Sequence, residues 1–198
     1  MSRTIHVIGN GDNAVMYKQG SKGLKITCNL PPFPVEGAYA TCLVDFKMMK
    51  AMNEGSVFPP GQWILGFRPT KYLEMNPNLR IKWMQHIKDN YLELPDYCPN
   101  YTDFNCGHMA THYSCNKLKG TEIHMYGFDS MFDFNLRSCT DFYLTSDRSD
   151  TNNMRLANNW RPVWQEIFNE FSDVQFVLHH KHDKLKFPKP KNVEIVTK

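Results

Sequence analysis

Residues 4–15 read TIHVIGNGDNAV, and how this stretch is read decides the fold. The run Thr4–Ile8 is short, apolar and β-branched apart from His6, the composition of a buried strand. Gly9, Asn10 and Gly11 then call for a tight turn, and Asp12 or Asn13 offers a side-chain cap to a short helix reaching Tyr17. A strand that ends in a glycine turn and feeds a helix is one way of holding phosphate. It is also a way of turning a corner, so the rest of the chain has to decide between the two.

Outward from this stretch, apolar runs of strand length recur at 24–29, 39–45, 62–67, 121–129 and 174–180, with VEIV (193–196) as an edge strand. The connection LPPFPVEG carries three prolines in four positions, which forbids helix and central strand. Helical spacing marks 46–55, 78–90, 106–120 and 150–171, the last with Pro162 as a boundary or kink. Strands alternating with helices predict an α/β fold: a single Rossmann-like domain over 1–198 with a mainly parallel sheet. The connection at 91–105 is long enough to be functional, and with 130–150 it is expected to form a lid or acceptor loop.

The composition is that of an ordinary globular chain, 41% hydrophobic and 22% charged, and the net charge of +3 permits an anionic partner without demanding one. No stretch approaches the ~20 apolar residues of a membrane span. MSRTIHVIGN has no apolar signal core, so a cytoplasmic location is expected, with the six scattered cysteines reduced. No CxxC pair occurs among them. HMATH (108–112) has two histidines at zinc-binding spacing but lacks the glutamate of the metalloprotease motif. LHHKHD (178–183) resembles a metal cluster, yet His179 and His180 point to opposite faces of a strand and do not easily share one ion. No metal site is therefore expected. The Met-rich FKMMKAM is read as core and the basic tail as a solvated terminus.

In parallel α/β sheets, ligands bind beyond the carboxyl ends of the strands. Polar signatures fall at those ends: Gly9-Asn10-Gly11, Cys28-Asn29, Asp45, and Gly127-Phe128-Asp129. The helix opening at Asn105-Cys106-Gly107 would present bare backbone N–H groups, suited to an anion.

The order HVIGNGDN, then CN, then NCGHMATHYSCNKLKGTEIHMYGFD resembles the sialyltransferase-like glycosyltransferases. The resemblance covers the two ends of residues 5–130 well and the middle poorly. It implies a Rossmann-like domain with a lid, a variant of the glycosyltransferase-A type. It also implies metal-independent, inverting transfer of a sugar from a nucleotide-sugar donor, with no further cofactor. On this resemblance Gly9, Asn10 and Gly11 would meet the donor's phosphate and nucleotide, and Asn29 its sugar or ribose. Asn105, Cys106 and Gly107 would line the nucleotide, and Gly127 and Asp129 would close the site. Cys106 stands where the family has a hydroxyl residue. The histidine base of the bacterial branch has no counterpart, because Thr145-Ser146 occupies its place.

Sugar transfer requires held phosphates, a deprotonated acceptor hydroxyl and exclusion of water. Arg148, Arg155 and Lys181 are candidates for a cationic clamp. For the base, Asp147 is preferred, with Asp129 as runner-up and His112 and His179 as further candidates. Each has a structural alternative: Asp150 serves equally as a helix cap, Asp129 as a turn residue, and His112 as a packed core histidine. The compact chain and terse loops resemble those of bacteriophage proteins, and Lys184, Lys186 and Lys189 cluster around Phe187. Together these point to double-stranded DNA, through a flipped hydroxymethylated base, as acceptor. Two alternatives stand beside this: transfer to a surface glycan or small molecule, and a non-catalytic nucleotide-binding protein of the same fold.

Overall fold

The structure, a computed structural model, describes residues 2–134 and 150–198. Eight strands form one all-parallel sheet: β1 Thr4–Ile8, β2 Leu24–Cys28, β3 Ala40–Leu43, β4 Gln62–Leu65, β5 Ile87–Asn90, β6 Glu122–Tyr126, β7 Gln175–His179 and β8 Val193–Val196. Their spatial order is β5-β4-β3-β2-β1-β6-β7-β8. The chain thus builds outward from β1 in one direction, returns, and builds outward in the other from β6. The α/β, Rossmann-like domain expected from the alternating pattern is therefore observed, and the sheet is parallel throughout.

The helices are α1 Phe46–Asn53, α2 Phe67–Met75, α3 Pro77–Trp83, α4 Cys106–Asn116 and α5 Asp150–Glu170. One sheet face, carrying Ile5, Val7, Ile26, Cys42, Ile123, Met125, Phe176 and Leu178, packs in one cluster with Met109 and Tyr113 of α4 and Trp164, Ile167 and Phe168 of α5. Full burial of each of the larger side chains contributes about 1.5–3 kcal/mol. On the opposite face Leu43, Trp63 and Leu65 pack against Met48, Met49, Met52, Leu73 and Trp83 from α1, α2 and α3. The methionines of FKMMKAM are core, as read. No helix among the described residues is long and apolar enough to cross a membrane.

Three elements differ from the sequence reading. Residues 78–90 are not one helix: α3 ends at Trp83, a 3₁₀ turn covers Met84–His86, and β5 follows. Trp83 and Ile87 pack in the second core cluster and β5 gains β4 as a partner, so pairing overrides helical spacing. The strand read over 62–67 stops at Leu65, where its pairing with Leu43 ends and Gly66 caps α2. The last helix runs through Pro162 without ending.

Candidate functional site

The β1/β6 junction is where the strand order reverses, and at such a point the loops beyond the strand ends splay apart into a crevice. A cleft of about 600 Å³ opens there, within the range of small-molecule sites. It is lined by Gly9–Gly11 from the end of β1, Cys28 and Asn29 from β2, Asp45 after β3, Arg68 of α2, and Gly127–Ser130 after β6. The loop Tyr101–Asn105, the start of α4, and Arg155, Leu156, Asn159 and Trp160 of α5 complete the wall. Every donor-binding residue expected from the sequence lies in this lining, and part of the 91–105 connection does too.

The two phosphate-holding candidates are built differently. In the glycine turn, Gly9 N–H donates to the Tyr126 carbonyl (2.7 Å) and Gly11 N–H to that of Gly127 (3.0 Å). These amides tie β1 to β6 and do not face a ligand. A Cβ on Gly9 would lie 2.9 Å from Gly127 O, and one on Gly11 would lie 2.7 Å from the Asp129 carboxyl group. The glycines are required by the close approach of two backbones. Asn13 does not cap the short 3₁₀ turn Asp12–Met16, which has no side-chain cap. Its amide nitrogen donates to Asp129 Oδ1 (2.8 Å), and its oxygen accepts from Lys181 N–H (3.0 Å). It thereby holds the floor of the cleft to the end of β7.

The start of α4 is open in character. Asn105 caps it, accepting from His108 N–H at 2.9 Å, while its own N–H donates to His108 Nδ1 at 3.0 Å. The remaining His108 nitrogen, Nε2, then carries the proton and donates to the Trp160 carbonyl (3.2 Å). Burial drives His108 down to a pKa of about 3, so this neutral arrangement persists through the physiological range. The amides of Cys106 and Gly107 have no acceptor within the helix, as first-turn amides cannot, and both residues border the cleft. Nearly the whole helix is buried, which strengthens the field at its start. A Cβ on Gly107 would collide with the Phe128 ring, so the glycine is required there by packing.

Beside this start, Asn29 adopts a left-handed backbone (φ 49) and is buried. Its Nδ2 donates to Asp45 Oδ2 (3.2 Å), while its Oδ1 is buried with no hydrogen-bond partner. A buried acceptor left unpaired at a cleft wall is costly unless a ligand donates to it. Cys106 donates its thiol to the Cys42 carbonyl (2.9 Å), and burial, reinforced by Cys28 nearby, pushes its pKa well up. It therefore acts as a packed thiol and not as a nucleophile. Of the six cysteines, Cys28, Cys42, Cys98, Cys106 and Cys115 are free and buried.

Arg68 and Arg155 supply cationic side chains to the lining. Arg68 lies 3.7 Å from Asp45 and over the ring of Tyr101, which itself stacks on Phe67 at 4.3 Å. Arg68 escaped the sequence reading because α2 did, while Tyr101 lies in the 91–105 connection that the sequence marks as functional without singling the residue out. Asp129, 7% exposed, is the single expected base that the described structure brings to the cleft. His112 is elsewhere. It is buried between Tyr91 (OH to Nδ1, 2.7 Å) and Glu170 (3.1 Å), joining α4 to α5 as a packed core histidine. Burial lowers its pKa although Glu170 opposes the shift. His179 belongs to a stack with His124 and Tyr126 on the sheet face, and burial lowers its pKa to about 4.

Lys184, Lys186 and Lys189 do not line the cleft. Lys189 Nζ donates to the Val193 carbonyl (2.8 Å), and Lys186 N–H to that of Met131 (2.9 Å). Lys181 is likewise outside the lining and lies 3.8 Å from Asp133. Asp147 and Arg148, and the greater part of the 130–150 loop, fall outside the described residues. Comparison with family models, curated proteins and solved structures finds no match.

Proposed function

We propose that this chain is a glycosyltransferase that holds a nucleotide-activated sugar in the β1/β6 cleft and passes the sugar to a hydroxyl acceptor. One observation carries the reading. At the switch point of the parallel sheet, an open helix start, an unpaired buried acceptor on Asn29 and a buried carboxylate on Asp129 face the same cavity.

In this reading the donor's phosphates sit at the amides of Cys106 and Gly107, with Arg68 and Arg155 dispersing their charge as the nucleotide leaves. Tyr101 offers a ring for the base to stack on. Asn29 Oδ1 accepts from a sugar or ribose hydroxyl. Asp129, fixed by Asn13, takes the proton of the acceptor hydroxyl as it attacks the sugar.

Calorimetric titration with a panel of nucleotide sugars, followed by mass spectrometry of acceptors incubated with each, tests the proposal. The acceptor panel includes DNA bearing hydroxymethylated bases, glycans and small alcohols. The expected result is binding of one donor class in the micromolar range and a mass increase of one sugar on one acceptor. Binding without transfer to any acceptor would favour a nucleotide-binding protein of the same fold, and no binding of any donor would overturn the reading.

A further inference from the structure

Beneath the cleft floor lies a cluster that the sugar-transfer reading does not use. Asp133 Oδ1 is 3.0 Å from His182 Nε2, and Asp133 Oδ2 is 3.2 Å from His180 Nε2. One donor atom from each of the three residues falls within 4.8 Å of the others. We propose that Asp133, His180 and His182 form a binding site for a divalent transition-class cation such as Zn²⁺. This inference is independent of the sugar-transfer reading.

Four observations support it. Two imidazoles and a carboxylate are a borderline donor set that suits Zn²⁺ and its neighbours and not Mg²⁺. Bonds of ~2.1 Å in a tetrahedral site place neighbouring donors ~3.4 Å apart, and the three donor atoms, within 4.8 Å of one another, close in on one ion by no more than ~1.4 Å. His180 is rigid: its side chain is 1% exposed and its ring lies flat on Phe132 with centroids 3.9 Å apart. Finally, His180 Nδ1 is buried without a hydrogen bond and faces Asp129 Oδ1 at 3.6 Å. When Nε2 takes the ion the ring proton sits on Nδ1, where it meets the Asp129 carboxylate, the kind of outer partner that metal-bound histidines use.

The side chains of Asp133 and His182 are 30% and 27% exposed, so the site is reachable from solvent and leaves room for water in the coordination sphere. Without the ion, Lys184 N–H donates to His182 Nδ1 (3.2 Å), placing the His182 proton on Nε2 toward Asp133. The ion takes Nε2, the ring proton moves to Nδ1, and the exposed Lys184 amide turns to water. Lys181 Nζ, 3.8 Å from Asp133 on a side chain 65% exposed, swings out likewise. The bound ion ties the turn after β6, with Asp129, to the segment after β7.

The test is calorimetry and thermal melting of the full chain, stripped with chelator and titrated with Zn²⁺, Co²⁺ and Mg²⁺. One Zn²⁺ is expected to bind with a Kd below about 10 µM. At a hundredfold excess over Kd, Tm should rise by roughly 5–10 °C. Mg²⁺ should do neither, and the Co²⁺ adduct should lack an intense thiolate band. His182→Gln, at a partly exposed position, should keep the fold and weaken Zn²⁺ at least tenfold, as should Asp133→Asn. His124→Gln, on the sheet-face stack, should leave binding unchanged. Zn²⁺ affinity that survives both His182→Gln and Asp133→Asn, or that His124→Gln abolishes, would overturn the site. So would the absence of binding below ~100 µM.

Discussion

The cleft is bounded by two glycine-bearing turns, and they work in opposite ways. At Gly9–Gly11 the glycine amides are bonded across to β6, and the space a side chain would fill is taken by the Gly127 backbone and the Asp129 carboxyl group. At Asn105–Gly107 the first-turn amides are left open by the geometry of a helix, and Gly107 is there to admit the Phe128 ring. The first turn is a joint that holds Asp129, and the second presents open amides that suit an anion, the seat of the proposal. A glycine motif does not announce which of these it is. What separates them is where the neighbouring N–H groups go, and only the tertiary partners decide that.

The largest expected effect bears on the seat and comes from acid. His108 holds the cap at the start of α4 as a neutral acceptor, with a pKa driven by burial from 6.5 to about 3. The unfolded chain takes up a proton near pH 6.5, while folded His108 refuses it until about pH 3. Its contribution to stability is therefore complete above pH 6.5 and declines as pH falls toward 3. Denaturant unfolding at pH 7 and pH 5 should show this loss, and His108→Gln should reduce the slope between the two. An unaltered slope would mean that the seat does not depend on this imidazole.

Next, the joint should control chemistry while the seat controls binding. Asp129→Asn should lower turnover ~100-fold or more with donor affinity nearly intact. Equal losses in both would merge the two roles and break the comparison. A smaller effect belongs to Gly11→Ala, whose Cβ has no room. It should cost about 1–3 kcal/mol of stability, with Tm falling roughly 2–4 °C per kcal/mol for a chain of this size. If the variant melts with the parent and loses donor affinity instead, Gly11 faces the ligand after all. The smallest is Asn105→Ala, which removes the cap for about 1 kcal/mol and should weaken donor binding several-fold. Unchanged donor affinity would place the phosphates elsewhere.

Some of this was legible without coordinates. The alternation of short apolar runs with helical spacing is a local property of the chain, and it was sufficient for the α/β class and for most strands, because buried parallel strands must be apolar. The polar signatures at strand ends located the cleft, since in a parallel sheet all carboxyl ends share one edge. Residues 78–90 misled for the converse reason: a short segment takes its state from β4 beside it.

The sequence by itself determined the fold class, the edge at which the cleft opens and most of the residues that line it. The tertiary structure alone decided what each residue does. His112 became a core residue because Tyr91 and Glu170 meet it. Asn13 became a brace because Asp129 lies 116 positions away in sequence and 2.8 Å away in space. Strand alternation correctly separated His179 from His180, yet could not reveal that His180 turns instead to His182 and to Asp133, which arrives from the turn after β6. Periodicity describes how a chain repeats along itself, whereas hydrogen bonds and metal sites are closed by groups distant along it. No local pattern encodes that closure.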